Sequence, residues 1–232
     1  MDENILDISE KNLEQIEGTY EPTNIELLFL NNNLLKTIDL NIFINLKVLD
    51  ISSNPIEIIT FLPLLLDEFA CNDCEIKMIY PHQNVTKIQC MNNKLTQMCD
   101  FPNLKELTCD NNQISKINNC NLLMRLFCSN NPIDNLDNFE NLVLLDCSKT
   151  LLTEINFPNL KQLFMNVTNI TNLTQNECLI ELECINSKLE KLEYFKNLKS
   201  LITDNENLDI SDDYKLQNCY VSNNRYEIYF TE

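Results

Sequence analysis

The stretch LKELTCDNNQISKI, at residues 104–117, decides the fold. Its apolar side chains and one asparagine recur at fixed steps, at Leu104, Leu107, Cys109, Asn112, Ile114 and Ile117. Leu107 and Cys109 alternate with polar residues, which predicts a short strand with one buried and one outward side. Asn112 follows where the chain must turn inward, and its amide can satisfy backbone groups that the turn buries. A single unit leaves its apolar side uncovered, so it needs similar units above and below.

The same pattern recurs along the whole chain. Taking the first apolar slot as the register places twelve repeats, which start at Glu3, Ile25, Leu46, Leu66, Val85, Leu104, Leu123, Leu142, Leu160, Leu179, Leu198 and Leu216. The spacing falls from 22 residues at the start to 18 or 19 after Leu66. A second motif, Phe-x-Asn-Leu, begins three residues before five of these starts, at Phe43, Phe101, Phe139, Phe157 and Phe195. The repeats predict one elongated domain over residues 1–232.

This pattern resembles the leucine-rich repeat family over essentially the full length. The resemblance implies a right-handed solenoid of about twelve repeats, with a curved parallel sheet on its concave face. Each repeat leaves only about eight or nine residues for the return segment, which is too short for a helix of several turns. We therefore expect extended or 3₁₀ returns on the convex face. Repeats this short are similar to those of bacterial effectors and of solitary repeat proteins of protists and large viruses.

Composition limits the classes of partner that the chain can bind. The net charge is −18, from 17 basic and 35 acidic side chains, and it would repel a nucleic-acid backbone or an anionic membrane. The sequence has no apolar run of transmembrane length and no basic-then-apolar leader at its start. Abundant Asn, Ile and Lys with a single glycine indicate an AT-rich genome, such as that of a parasite or large DNA virus. With one glycine, turns that need positive φ must use Asn or Asp.

Cysteine usage predicts the compartment. The chain has 11 cysteines, and six occupy the same inward slot, at Cys71, Cys90, Cys109, Cys128, Cys147 and Cys184. A free cysteine behaves as a small apolar residue, and such a ladder suits a compartment where thiols stay reduced. We therefore predict a cytoplasmic protein. The alternative is a fragment of an extracellular receptor or adhesin, which thiol titration would distinguish.

Few residues are candidates for catalysis or for binding a metal or cofactor. Cys71 and Cys74 form a C-x-x-C pair, but no second pair stands at a zinc-site spacing, so we interpret both as core residues. His82 is the single histidine and is interpreted as an inert surface residue. Phosphate-cradling loops need glycines that this chain lacks. We predict no catalytic residues, no metal and no cofactor.

The outward strand positions are the candidate site. In repeats seven to twelve they are largely apolar, and we predict a protein-binding concave face formed by Met124, Phe127, Val143, Leu144, Phe164, Val167, Ile180, Ile185, Ile202 and Tyr220. In the first repeats they are acidic and would attract a basic segment, at Asp7, Glu10, Asp50, Asp67, Glu68 and Asp73. The alternative is that strand propensity alone placed the large apolar residues there.

Two functions follow from this reading. The first is a non-enzymatic module that binds a protein partner on the concave face, as a regulatory or host-interaction factor. The second is a structural subunit that assembles with itself or with other chains through uncapped terminal repeats. The second rests on the last repeat, from Leu216, where Tyr226, Tyr229 and Phe230 cluster and no capping helix follows.

Overall fold

The structure is a computed structural model that describes residues 4–16, 20–136, 139–174, 176–222 and 224–231. The chain forms two compact units, Met1–Asn121 and Leu122–Glu232. Each unit is a stack of β-solenoid coils, in which one short strand per coil pairs in parallel with the strand of the next coil. The described residues contain no helix long and apolar enough to cross a membrane. The single domain that the repeats predict stays a prediction.

The first unit has eight described strands. Its main parallel sheet contains β1 (Ile5–Asp7), β2 (Leu27–Phe29), β3 (Val48–Asp50), β4 (Glu68–Ala70), β5 (Lys87–Gln89) and β7 (Glu106–Thr108), in that order. A two-stranded parallel sheet in the return segments pairs β6 (Gln97–Cys99) with β8 (Lys116–Asn118). A one-turn 3₁₀ helix covers Pro22–Asn24. The returns are therefore extended or 3₁₀, as the repeat length predicts.

The second unit is built from coils of the same kind and ends differently. Its parallel strands are β9 (Arg125–Phe127), β10 (Leu144–Asp146), β11 (Gln162–Phe164), β12 (Glu181–Glu183) and β14 (Ser200–Thr203). The return strands β13 (Lys191–Leu192) and β15 (Asp209–Ile210) form a small parallel sheet. The last two strands, β16 (Lys215–Ser222) and β17 (Arg225–Thr231), form an antiparallel hairpin.

The predicted register is confirmed by burial. Every predicted repeat start whose side chain the structure describes, from Ile25 to Leu198, is buried. The central residues of β2 to β5 and of β7 are buried, whereas Leu6 in β1 is half-exposed. The six predicted ladder cysteines are also buried and free. Strand faces therefore point as the sequence predicts, with leucine and thiol side chains inward.

Buried asparagines tie most coils of the first unit to the coil before. The Asn112 amide donates to the carbonyls of Cys109, in its own coil, and Cys90, one coil earlier, at 3.0 and 2.9 Å. Its Oδ1 accepts from the backbone N–H of Leu95. Thr150, in the same slot of the second unit, donates to its own-coil carbonyl at Cys147. Threonine in this slot therefore forms fewer hydrogen bonds than asparagine does.

The Phe-x-Asn-Leu motif closes each return segment. The Phe101 ring is buried, and its carbonyl accepts from the Leu104 N–H, three residues on. Asn103, between them, donates to the Gln83 carbonyl of the preceding coil at 2.7 Å. Phe139 and Phe157 stack in consecutive coils, with ring centroids 6.2 Å apart. The motif therefore combines a tight turn, a buried ring and a tie between coils.

Asparagine and other residues replace glycine where φ is positive. The residue before the asparagine slot has φ between 51° and 57° in successive coils, at Asn32, Ser53, Asp73, Asn92, Asn111, Asn130, Lys149, Val167 and Asn186. Asn and Asp tolerate this left-handed conformation better than other residues that carry a Cβ. Asn or Asp takes this conformation at six of these nine positions, as predicted, whereas Ser53, Lys149 and Val167 are exceptions. Val167 is the least suited of the three because its side chain is branched.

The last predicted repeat, from Leu216, is wrong. The chain there does not form another parallel coil: β17 pairs antiparallel with β14, and β16 pairs antiparallel with β17. Ile228 and Phe230 bury their side chains, and the Phe230 ring stacks on Tyr214 at 4.3 Å between centroids. The hairpin therefore covers the last parallel strand, β14, with an antiparallel pair, and β16 becomes the edge strand at this end.

The coil from Leu198 also departs from the predicted register. Glu206, which the spacing assigns to the asparagine slot, is exposed. Asn205 takes the role one residue earlier, since its amide donates to the Leu189 carbonyl at 3.1 Å. A carboxylate buried in that slot would be costly, and Glu206 instead remains exposed. Asn205 is only half-buried, and its partner differs from the strand carbonyls that Asn112 binds.

Candidate partner-binding face

The candidate face consists of the side chains that flank the buried centre of each strand, and we call it the outward strand face. In β7, for example, Leu107 is buried while Glu106 and Thr108 on either side are partly exposed. Directly paired residues of neighbouring strands point to the same side of a sheet, so equivalent positions form rows across the strands. The strand register of each unit therefore fixes which outward side chains are neighbours.

One row in the second unit alternates between apolar and acidic residues. In strand order it reads Phe127, Asp146, Phe164, Glu183, Ile202, Glu227 and Tyr220, and we call it the acid–apolar row. Each of these residues is partly or largely exposed. The alternation means that the predicted apolar patch is not continuous in this row, because a carboxylate separates each pair of large apolar side chains.

Two further rows follow one another on one side of it. The other outward strand position carries Arg125, Leu144, Gln162, Glu181 and Ser200. The position just before each strand carries Met124, Val143, Lys161, Ile180 and Lys199, linked by backbone hydrogen bonds from one coil to the next. Three basic side chains occur at these positions in the parallel strands of this unit, at Arg125, Lys161 and Lys199. All three therefore lie outside the acid–apolar row.

The structure brings together most of the predicted apolar residues. Seven lie partly exposed in the three rows, at Met124, Phe127, Val143, Leu144, Phe164, Ile180 and Ile202. Tyr220, predicted on a twelfth parallel coil, is 56% exposed on the outer hairpin strand instead. Val167 is 47% exposed but lies in the turn after β11, where its φ is 56°. Tyr220 therefore ends the acid–apolar row on the hairpin, and Val167 borders the face from the turn.

Ile185 was predicted on the face, and this placement is wrong. Its side chain is 8% exposed. Its N–H donates to Asn166 Oδ1 at 2.7 Å, and its carbonyl accepts from the Val167 N–H at 2.8 Å. Both partners belong to the preceding coil, so Ile185 is held against that coil and contributes to the core.

The acidic residues predicted in the first unit are exposed or half-exposed, but several have structural partners. Asp7 and Asp50 each accept from the backbone N–H two residues on, at Ser9 and Ser52. The Ser9 hydroxyl also donates to Asp7, and these two bonds lower the pKa of its carboxyl. The sequence L-D-x-S therefore encodes a turn at the end of a strand, and its carboxylate still adds negative charge to the face.

The other predicted acids are tied to neighbouring coils. Asp67 accepts from the Thr86 hydroxyl at 2.6 Å, and Asp73 accepts from the Asn92 amide at 2.7 Å. Glu68 lies 3.8 Å from the Lys87 ammonium, and both groups are largely exposed. Glu10 lies in a turn with φ 58°. The first unit thus has an acidic outward face whose carboxylates also help to hold adjacent coils together.

An apolar cluster that was not predicted from the sequence lies on the outward face of the first unit. Leu27 pairs with Val48 between β2 and β3, and Phe29 lies two residues from Leu27 on the same side. A shallow depression of about 160 Å³ lies beside them, where Ala70 is paired between Asp50 and Gln89. The sequence contained a signal for this cluster, because Leu27, Val48 and Phe29 occupy the same outward strand positions as the predicted apolar residues.

A second missed cluster lies in the return segments of the first unit. Large apolar side chains are exposed there, at Ile44, Ile58, Phe61, Leu64, Leu65, Met78 and Tyr80, with Leu64 reaching 67%. The backbone of Lys77 donates to the Glu57 carbonyl, which aligns Met78 beside Ile58 in the next coil. The apolar run around residues 56–66 signalled these residues, although its length fits a buried segment equally well.

His82 is buried, and its prediction as a surface residue is wrong. It occupies the phenylalanine position of a degenerate motif, His-Gln-Asn-Val, three residues before the repeat start at Val85. Its Nε2 lies 3.0 Å from the Pro63 carbonyl, and its Nδ1 accepts from the N–H groups of Asn84 and Val85. Burial lowers the pKa of His82. The ring is therefore a structural group that holds a turn.

The cysteines also occupy structural positions. Cys71 and Cys74 are both buried, and the Cys74 thiol replaces the asparagine amide of its slot by donating to the Ile51 and Asn72 carbonyls. Burial raises the pKa of Cys74 to about 11 and that of Cys184 to about 11. Thiols are poor nucleophiles and ligands until they are ionised. Among the described residues, no group of His, Cys, Asp and Glu gathers to hold a metal ion.

Comparison with solved structures defines the class of fold. The chain is similar to the leucine-rich repeat domain of APL1B, with a TM-score of 0.71, 21% identity, and coverage of 94% of this chain and 70% of that one. It is also similar to the functional domain of InlJ from Listeria monocytogenes, with a TM-score of 0.63 and 23% identity over 90% of this chain. It spans about half of that chain, 53%. The chain has the leucine-rich repeat fold.

Two details of these neighbours bear on the site. The InlJ domain is described as including a cysteine ladder, as this chain does. A third similar chain comes from an octameric complex of Latrophilin 3, Unc5D and the leucine-rich repeat protein FLRT2, with a TM-score of 0.59, 15% identity and coverage of 90% and 89%. No protein-family model and no curated protein sequence matches the chain.

Proposed function

We propose that this chain is a non-enzymatic interaction module that binds a protein partner on the outward strand face of its second unit. The observation that carries the proposal is the set of large apolar side chains held partly exposed in consecutive strands, led by Phe127 and Phe164. The buried strand centres already supply the core, so these outward side chains are not needed for folding. Grouped exposed apolar residues usually mark interaction surfaces.

The compartment and the biological role in this proposal rest on composition. A reducing, intracellular compartment agrees with the buried free thiols. A regulatory or host-interaction role in a parasite or large DNA virus agrees with the AT-rich codon bias inferred from composition. That a leucine-rich repeat protein of similar fold is part of an octameric protein complex supports protein binding as the activity of this fold.

The test is a double substitution, Phe127→Ala with Phe164→Ala. Both rings are partly exposed, so the variant should fold, which circular dichroism and thermal melting would check. The matched control is Leu151→Ala, because Leu151 is exposed away from the strands of the same unit. Each protein is used to capture partners from a lysate of the cells that make it, with quantitative mass spectrometry. Proteins retained by the control and lost from the double variant support the proposal, and an unchanged set contradicts it.

A second candidate is assembly through the first coil. Leu6, Ile8 and Leu13 occupy core slots but remain half-exposed, and β1 has a partner strand in β2 alone within the described part of this unit. An open strand edge with half-covered apolar residues is a site where another chain can add a strand. Light scattering over a range of concentrations tests this candidate. A monomer at every concentration rules out self-assembly, and dissociation by Leu13→Glu supports it.

A further inference from the structure

We propose that the acid–apolar row binds an extended, polyproline II-like segment that carries a basic side chain at every third residue. This inference rests on the proposed function and specifies the chemistry of the partner. It uses the outward strand face of the second unit, and it identifies the acids of that face as the elements that set the partner's sequence spacing.

The order of the row is the first step. Asp146, Glu183 and Glu227 occur on alternate strands, and Phe164 and Ile202 fill the strands between them. The strand pairing is direct at each step, so the five side chains point to one side of the sheet. A ligand lying along this row, across the strands, would meet negative and apolar groups in strict alternation.

The spacing of the acids is the second step. Neighbouring strands lie about 4.8 Å apart, so acids on alternate strands recur about every 9.6 Å. A polyproline II helix rises about 3.1 Å per residue with three residues per turn, so its side chains return to one face about every 9.3 Å. Over the two intervals from Asp146 to Glu227 the mismatch is only about 0.6 Å, well within the reach of an arginine.

Other backbone conformations fit less well. A β-strand presents same-side residues about every 6.7 Å, so its side chains fall out of step with the acids after one interval. An α-helix returns to one face after seven residues, about 10.5 Å, and gains about 1.8 Å of error over two intervals. A polyproline segment is also extended before binding, so less conformational entropy is lost when it docks.

Charge favours a basic partner on this row. Asp146 accepts a hydrogen bond from the Ser148 N–H and Glu183 accepts one from the Asn166 amide, and these bonds help to position the two carboxylates. Arg125 lies with Glu181 in the adjacent row, and Lys161 and Lys199 lie in the row beyond it, so a basic segment that shifted toward the lysines would meet repulsion. The charges therefore favour the acid–apolar row over the lysine row.

The apolar members of the row complete the site. Phe164 lies between Asp146 and Glu183, so a cation paired with either acid also lies beside an aromatic ring. Arginine is attracted to such rings, and proline rings pack against them. The two residues between successive basic side chains of the partner would therefore be apolar, with proline favoured at both positions.

The test compares two peptides of identical composition, Arg-Pro-Pro-Arg-Pro-Pro-Arg and Arg-Arg-Arg-Pro-Pro-Pro-Pro, each with a fluorophore at the same end. Binding to the full chain is measured by fluorescence anisotropy at physiological salt. We expect the spaced peptide to bind about tenfold more tightly than the clustered one, because only its charges match the acid spacing. Glu183→Gln should remove most of that difference, since it deletes the central charge and keeps an acceptor for Asn166.

Glu181→Gln is the matched control, because it removes the same charge from the other outward position of the same strand. It should retain the tenfold preference. Equal binding of the two peptides, no measurable binding of either, or an equal loss in the two variants overturns the inference. If neither peptide is preferred while the Phe127 and Phe164 variant still loses its captured partners, the proposed function stands and only this inference fails.

Discussion

His82 and Asn176 hold the same turn in different coils. Each occupies the phenylalanine position three residues before a repeat start, and each accepts from the backbone N–H groups two and three residues on. The acceptor is Nδ1 of His82 in one coil and Oδ1 of Asn176 in the other. An imidazole and an amide are therefore interchangeable at this position, but only the imidazole can be protonated within the physiological pH range.

His82→Asn should make stability less dependent on pH between about 7 and 5. Burial holds the folded-state pKa of His82 below its ordinary value, so the unfolded chain takes up a proton first as the pH falls. The stability supplied by the neutral ring is therefore complete above about pH 6.5 and is lost as the pH falls through the folded-state pKa. Protonation also occupies Nδ1 and breaks both bonds to the turn.

Urea unfolding at several pH values measures this effect. The free energy of unfolding of the natural chain should decline toward pH 5 more steeply than that of the variant. Curves of equal slope would mean that His82 is not the titrating group in this range.

Asn112→Thr should lower the free energy of unfolding by about 1–3 kcal/mol. Threonine can keep the bond to the Cys109 carbonyl, as Thr150 does in its own coil, but it leaves the Cys90 carbonyl and the Leu95 N–H without their partner. Gln113→Thr is the control, because the adjacent side chain is exposed and should change stability little. A similar loss in both variants would show that the buried amide ties do not stabilise the stack.

Val167→Asn should raise the free energy of unfolding by about 1 kcal/mol, because a branched residue at φ 56° is strained. The reverse change in the next coil, Asn186→Val, should lower it by a similar amount, since Asn186 has φ 51°. Denaturant unfolding of both variants checks the pair. If Val167→Asn is neutral or destabilising, the exposed valine contributes more through its contacts than its backbone conformation costs.

Thiol labelling should distinguish one cysteine from the ladder. All 11 cysteines are free, and Cys219 is exposed on the outer hairpin strand while the six ladder thiols are buried. With the folded protein, a thiol reagent should modify Cys219 first, and mass spectrometry of peptides would locate it. After denaturation without reductant all 11 should react. Fewer reactive groups would indicate disulfides and favour the extracellular alternative.

The repeat pattern predicted the strands, their inward sides and the buried amides, because each depends on spacing within about ten residues. The positive φ at Asn92 and Asn111 followed from the single glycine. The hairpin from Leu216 could not be predicted in this way. A two-residue alternation is the same in parallel and antiparallel strands, so the pattern does not distinguish another coil from a cap.

The site was predicted less completely than the fold. Outward positions such as Phe127 and Phe164 were identified because burial at one slot implies exposure at the next. The alternation with Asp146 and Glu183 needed the strand register, which shows which residues are direct neighbours across coils. The burial of His82 is harder to predict because His-Gln-Asn-Val keeps only the asparagine of Phe-x-Asn-Leu, and its position three residues before Val85 is the one signal of the equivalence.

The acids recur on every second strand, and this period limits how many repeats can be added to such a protein. Solenoid proteins lengthen when repeats are duplicated in the gene. Duplicating one coil between Asp146 and Glu183 would separate these two acids by about 14 Å instead of about 9.6 Å. Duplicating two coils, one with an acid and one without, would extend the series unchanged. Homologues that retain this recognition should therefore differ in length by even numbers of repeats.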